Sequence, residues 1–572
     1  VCSSDLYTDA EIPQLNWTQD LDTLFLFHAN HEIATLVRQG SDTAWLLSDF
    51  ILTDFPTVVF DNTALGTLKP SAPGDPEGTV TVTSNTAQFV AGDVGKFIRG
   101  NGGYGKITGH TSSTVMVLTL VTSFADADII GNGLWSKEEI AYSAARGFPV
   151  SGTIFQGRLV LAGSKSLPDF LAASRSGVIK NFANSSADED SAIVAFSDTP
   201  GISTFLNVYG GRHLQIFAGD AEFYVPISEQ DPLTPNNVIL RRNSSVGSKG
   251  LLPDKTTRIS IQTEEADGIV YFIQRGGGAL REFVFDDAQI AYDVNTVSLV
   301  SGHLIRDSVD MALRKSLSIE DPNYIWVVND DGTLAMFCVL RSEQVNAWTL
   351  SETKGAFLQA TTLDQDSYFA IRRTIDGQTV HRLEKFNPDL LFDSGVIATN
   401  LGAPVSSVSD LGWLEGEEVE IILDDSFVGT ATVTIGVLTF PRDAEDSYQF
   451  GIPFPVVERD EDDVLVPGSK NNVHIKPLPD DFALADGSTM GKRKRVVNAT
   501  FRVNKTQGFY VNNKLQSFRS LGGDLLDEPI KPFTGDKKIK SIPGWTERGQ
   551  FDVTQQEPQK FNLLGFAYDI AV

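Results

Sequence analysis

The sequence predicts a mainly β chain: a β-propeller of about six blades, an inserted small β-barrel or sandwich, and a C-terminal β-barrel platform. Three observations predict it. Long amphipathic helical patterns are scarce, whereas β-branched and aromatic residues cluster in short runs bounded by Gly, Asp and Asn. One unit recurs, an apolar strand, a tight turn and a second strand, and from Leu159 onward it does so at steps of 55, 56, 55 and 43 residues, near the roughly 40–50 residues of one four-stranded sheet per repeat. At 572 residues the chain also exceeds what one hydrophobic core can organise.

The units run in order along the chain. "TLFLFHANHEIATLV" opens the series near Leu24, and "RLVLAGSKSLPDFLAAS" follows near Leu159. "HLQIFAGDAEFYV" comes near Leu214, "IVYFIQRGGGALREFVF" near Val270, "YIWVVNDDGTLAMFCVL" near Ile325 and "YFAIRRTIDGQTVHRLEKF" near Tyr368. Asp331-Gly332 and Asp376-Gly377 are pairs that favour type I′ hairpin turns. Between the first unit and the second, "EGTVTVTSNTAQFVAGDVGKFIRGNGGYGKITGHTSSTVMVLTLV" reads as a compact set of short strands. After about residue 400 the alternation of "GWLEGEEVEIILDDSFVGTATVTIGVLTFP" and "RKRVVNATFRVNKTQGFYVNN" suits a barrel. The expected division is 1–65 for a first blade, 66–135 for the insertion, 136–400 for the remaining blades and 401–572 for the platform, with a polar, mobile connection at 456–487. The opening "VCSSDL" matches the translated end of a common sequencing adapter, GTG TGC TCT TCC GAT CT, and is expected to be a scar; reassembly from trimmed reads tests this.

Charge narrows the function. Lys plus Arg number 46 against 74 Asp plus Glu, a formal charge of −28. Such a surface is a poor partner for phosphate backbone, and suits a wall past which nucleic acid slides. No stretch has the apolar length of a membrane helix. The two cysteines, Cys2 and Cys338, make no metal or disulfide pattern, and Cys338 is expected in the core.

Motifs that could carry chemistry fail on context. "GNGGYGK" fits a phosphate-loop spacing but is followed by Ile107 and flanked by strands, so a glycine-rich hairpin is expected. "HANHE" places His28, His31 and Glu32 together, but the histidines are three apart in a turn between strands, not four apart on a helix. No G-x-S-x-G elbow occurs and no carboxylate pair stands out. No catalytic, cofactor-binding or metal residue is therefore expected. The polar segments are the remaining candidates. Asp188, Glu189 and Asp190 in one loop, and Glu458, Asp460, Glu461, Asp462 and Asp463 in another, could line and gate a lumen. The basic run Lys492, Arg493, Lys494 and Arg495 could meet an acidic neighbouring subunit.

"LNWTQDLDTLFLFHANHEIATLVRQGSDTAWLLSDF", "RGFPVSGTIFQGRLVLAGSKSLPDFLAASRSGVIKNF", "LQIFAGDAEFYV", "YFIQRGGGALREFVFDDAQIAYDVNTVSLVSGHLI", "YIWVVNDDGTLAMFCVLRSEQVNAWTL" and "GSTMGKRKRVVNATFRV" occur in an order that resembles the nozzle, or tail tubular protein B, family of short-tailed bacteriophages, related to the packaged-DNA stabilisation tail hubs. The resemblance covers residues 12–515. It implies a structural virion protein without catalytic residues, assembled in the host cytoplasm. It further implies a hexameric distal tail ring that docks on an adaptor or gatekeeper and on fibres or a needle, touches the host envelope transiently, retains packaged DNA and provides the channel for its ejection. A solitary propeller that binds or hydrolyses glycans is the competing expectation.

Overall fold

The computed structural model describes residues 6–60, 66–184, 188–197, 199, 203–227, 231–251, 257–318, 321–459, 466, 469–479, 481–484, 487–519, 529–540, 542 and 544–572. Among them every regular element is a strand or a three-residue 3-10 turn. The chain divides into two units, one of residues 1–315 with 339–348, the other of 316–338 with 349–572.

Five four-stranded sheets are each built from consecutive strands. Sheet 1 comprises Asn16–Asp20, Thr23–His28, His31–Arg38 and Trp45–Asp49. Sheet 2 comprises Ser151–Phe155, Arg158–Ala162, Phe170–Ala173 and Ile193–Phe196, and sheet 3 Phe205–Gly210, Leu214–Ala218, Glu222–Tyr224 and Arg241–Ser244. Sheet 4 comprises Glu264–Ala266, Ile269–Ile273, Leu280–Asp286 and Ala291–Thr296, and sheet 5 Asp310–Arg314, Asn323–Val328, Leu334–Leu340 and Val345–Ser351. The apolar run that marks each sequence unit falls on the second strand every time. In sheets 2, 3 and 4 that strand is buried along its whole length.

Those strands are buried on both faces instead of alternating, because sheets 1 to 4 stack face to face in chain order; Arg158 and Gln215 are the buried polar residues within them. Leu159, Leu161, Phe170 and Ala172 of sheet 2 pack with Phe25, Phe27 and Ile33 of sheet 1. From the other face Val160, Ala162, Leu171 and Ala173 meet Leu214, Ile216, Ala218 and Phe223 of sheet 3. Phe217 and Tyr224 in turn meet Val270, Phe272, Phe283 and Tyr292 of sheet 4. The fit between sheets 1 and 2 is close: a Cβ added to Gly152 would lie 2.5 Å from Phe27 Cζ. Gly152→Val is therefore expected to cost about 1–3 kcal/mol by overpacking, read as a lower urea midpoint with unchanged slope.

Between sheets 1 and 2 in the chain lies a seven-stranded sheet with its own core of Leu68, Val82, Ile98, Ile107, Met116 and Leu118. Its first and last strands, Thr57–Val58 and Trp135–Ile140, pair with each other. "GNGGYGK" is a hairpin turn here, with Asn101 and Gly102 both at positive φ between Phe97–Gly100 and Gly103–Ser112.

In the second unit Ala356–Leu363, Asp366–Ile375 and Gln378–Lys385 form a three-stranded meander. Arg373 on its middle strand is only 2 % exposed; its guanidinium makes two bonds to Glu384, at 2.6 and 2.7 Å, and one of 2.9 Å to Asp393. A later core gathers Leu414, Val419, Ile421, Leu438 and Phe450, and a C-terminal one gathers Phe501, Phe509, Phe551 and Val553.

Three local expectations are corrected. Asp376-Gly377 has both residues at positive φ, as a type I′ turn requires, but at Asp331-Gly332 only the glycine does, in a longer turn closed by Gly332 N–H donating to Asn329 O. Cys338 is half-buried, because alternation along Leu334–Leu340 sends Phe337 and Val339 inward instead. The polar connection 456–487 contributes a strand, Val473–Ile475, that pairs with Val553–Gln555.

Candidate functional site

A cavity of the first unit opens where the turns of sheets 3 and 4 come together, and holds about 850 Å³. Its walls are set by backbone. Ser248 N–H donates to Ala218 O at 2.8 Å, and Lys249 N–H to Ile273 O at 2.9 Å, so the connecting segment is stitched to both sheets. Gly247, at φ +79°, allows that approach: a Cβ there would lie 2.5 Å from Gly219 O. Gly277, at φ +74°, likewise leaves room for the Lys249 ammonium.

Three cationic side chains reach this cavity. Lys249 is 3 % exposed and pairs with Asp307 Oδ1 at 2.5 Å. Arg258 and Arg275 differ. Neither guanidinium has a hydrogen-bonded or ionic partner among the described residues, and burial pushes the pKa of Arg258 down. Ser248 also lines the cavity, buried, with its Oγ unpartnered. Asp220 accepts from Ser203 Oγ at 3.2 Å, leaving its buried Oδ1 without a donor. Arg258 is half-buried and Arg275 exposed, so solvent reaches both, whereas the buried orphan atoms of Ser248 and Asp220 need an external partner or water.

A second cluster forms on the sheet 1 hairpin. His28 and His31 face each other across the Ala29-Asn30 turn, and Glu11 takes the place expected of Glu32, which is exposed. The ligand atoms of Glu11, His28 and His31 lie within 4.8 Å of one another. Hydrogen bonds already engage all three side chains. His31 Nε2 bonds Glu11 Oε1 at 2.9 Å, which holds the Glu11 carboxyl at a pKa of about 2 together with the Thr8 N–H and hydroxyl. His28 Nδ1 accepts from Asn30 N–H at 3.2 Å, which in the neutral ring places the proton on Nε2, a buried atom without a hydrogen-bond partner among the described residues. Burial, with His31 beside it, lowers the His28 pKa and keeps that ring neutral.

The acidic loop at 188–190 is held from beneath. Arg158, 2 % exposed, donates to Ser174 O and Ser191 O at 2.7 Å, to Glu189 O at 2.8 Å and to Asp190 O at 3.4 Å. Arg175 pairs with the Asp190 carboxylate at 2.5 Å. Glu458 accepts from Asn471 Nδ2 at 2.7 Å and from Ser469 Oγ. Asp460, Glu461, Asp462 and Asp463 lie outside the described residues. Of the basic run, Arg493 is exposed and Lys492 and Arg495 are half-buried. Lys494 is buried within its own unit, paired with Asp481, so its charge is not presented at the surface.

Sequence reasoning missed Arg158, although it sits in the quoted "QGRL", and missed the cavity. Lys249, Arg258 and Arg275 are scattered singly and make no motif; only "RGGG", read as a turn, marked the place.

No protein-family model matches the chain, and no curated protein does. Among solved structures, the intramolecular trans-sialidase from Ruminococcus gnavus is similar at 9 % identity and TM-score 0.28, over 67 % of this chain and 97 % of that one. The endosialidase of phage phi92 is similar at 10 % identity and TM-score 0.21, over 91 % and 88 %. An auxiliary nutrient binding protein from Bacteroides thetaiotaomicron VPI-5482 follows at 12 % identity and TM-score 0.23, over 58 % and 87 %. Likenesses this slight carry no argument about what the chain does.

Proposed function

We propose that this chain is a structural subunit of the tail nozzle of a short-tailed phage. Its successive sheets close into a propeller of about six blades, and copies of the chain form a ring, in the reading a hexamer, through which packaged DNA is retained and released. One observation carries the reading. The recurring motif on which the family resemblance rests is anchored on the second strand of five successive four-stranded sheets, so the resembling residues are the framework itself and not an accident of loop composition. Charge agrees with the role: at −28 the chain repels phosphate, as the wall of a DNA channel must. The outer face of the 356–385 meander offers material for a lateral contact, with Leu363 and Leu383 exposed on the side opposite Phe369 and Ile371.

The test is negative-stain microscopy of the protein co-expressed with the product of the neighbouring gene. Six-fold rings with a central channel are expected. Isolated particles at every subunit ratio, with the adaptor ring itself assembled, overturn the reading. In that case the solitary propeller becomes the better account.

A further inference from the structure

We propose that the cavity between the turns of sheets 3 and 4 binds a small acidic sugar, its oxyanion held by Arg258 and Arg275 and a further oxygen by Ser248. The proposal is independent of ring formation. It starts from charge. In a chain with 28 more formal negative than positive charges, two guanidinium groups line one cavity without a carboxylate partner among the described residues; Lys249 there is already paired with Asp307, and the one further carboxylate on the wall, Asp220, accepts from Ser203. A guanidinium is a planar fork of donors whose geometry matches carboxylate, sulfate and phosphate oxygens, and two on one cavity can bind such a group from two sides.

The second observation is Ser248. Its buried hydroxyl has no partner and lies on the cavity wall, so the fold leaves a donor and acceptor pair where a ligand oxygen would satisfy it. The third is size and lining. About 850 Å³ is far more than a bare oxyanion fills and falls within the range of small-molecule pockets. Thr204 and Gln274 bring further polar groups to the wall, and no aromatic ring lines it among the described residues. A hydroxylated body suits these walls better than a flat apolar one.

The measurement is calorimetric titration of the full chain at low ionic strength with glucuronate, glucose 6-phosphate and glucose. The acidic sugars are expected to bind and glucose is not; which acidic sugar binds tells a carboxylate from a phosphate ester. Arg258→Gln and Arg275→Gln are each expected to weaken binding about ten- to hundredfold, the loss of a charge-assisted hydrogen bond. Arg382→Gln, on the meander of the other unit, leaves the affinity unchanged. Gly276→Leu keeps every charge but adds bulk where a Cβ would meet only open space, and is expected to block binding. The same melting temperature in all four variants shows that folding is intact. The proposal is overturned if neither acidic sugar binds, if glucose binds equally well, or if both arginine variants bind as the parent does.

Discussion

Arg158→Met is expected to destabilise the first unit by about 2–6 kcal/mol, since each of the two buried carbonyls, those of Ser174 and Ser191, left without its donor costs about 1–3 kcal/mol. Four carbonyl oxygens receive this one guanidinium, and three of them belong to Glu189, Asp190 and Ser191. Methionine fills most of the volume but offers no donor, so the strand stays packed while the loop loses its anchor. Two readouts separate these effects. Urea unfolding reports the loss of stability, and amide exchange at residues 188–191 is expected to accelerate more than exchange along Leu159–Ala162. A stability change under about 1 kcal/mol would mean that water replaces the guanidinium, and the clamp would then be incidental. This acidic loop is not a free flap: any movement of it, including the gating the nozzle proposal would ask of it, must first break its bonds to Arg158.

The second large effect lies in the other unit. Arg373→Met is expected to cost about 3–5 kcal/mol, the usual penalty for removing one partner of a buried ion pair. Two carboxylates remain behind, Glu384 at 20 % exposure and Asp393 at 4 %, facing each other without the cation that held them. Neutralising them in the same chain, with Glu384→Gln and Asp393→Asn, is expected to restore much of the loss, because what destabilises is the stranded charge and not the missing arginine. Thermal unfolding of the single and triple variants decides it. If the triple variant is no more stable than the single, the arginine acts through packing alone.

How far the fold was legible depends on which physics wrote it. The strand-turn-strand units were visible because burial on both faces leaves a mostly apolar run without alternation: "RLVLA", "LQIFA" and "IVYFI" read as interior strands once helices are excluded by their length and bounding turns. The insertion was visible for a similar reason, the alternation of Thr79–Ser84 and Val115–Thr122. What could not be read were pairings set by distant chain. Glu11 meets His31 only because a 3-10 turn precedes sheet 1 and folds back on the hairpin, and nothing near "HANHE" announces it. Lys494 looked like one of four surface charges, yet strand register turns it inward onto Asp481. Arg258 and Arg275 share a cavity because two turns meet, a fact of stacking that leaves no periodic trace. Local pattern is written by burial; convergent sites are written by topology.

The pairing of Thr57–Val58 with the last strand of the seven-stranded sheet has an engineering consequence. Ala141 N–H donates to Pro56 O at 2.8 Å, so the chain leaves the stack and returns to it at almost the same point. The insertion is a cassette on a closed stem. It has its own core, and cutting it out would leave two ends close enough for a short glycine bridge. A foreign domain whose termini lie equally close could be carried there instead, turning this position into a loading port for display on every copy of the chain.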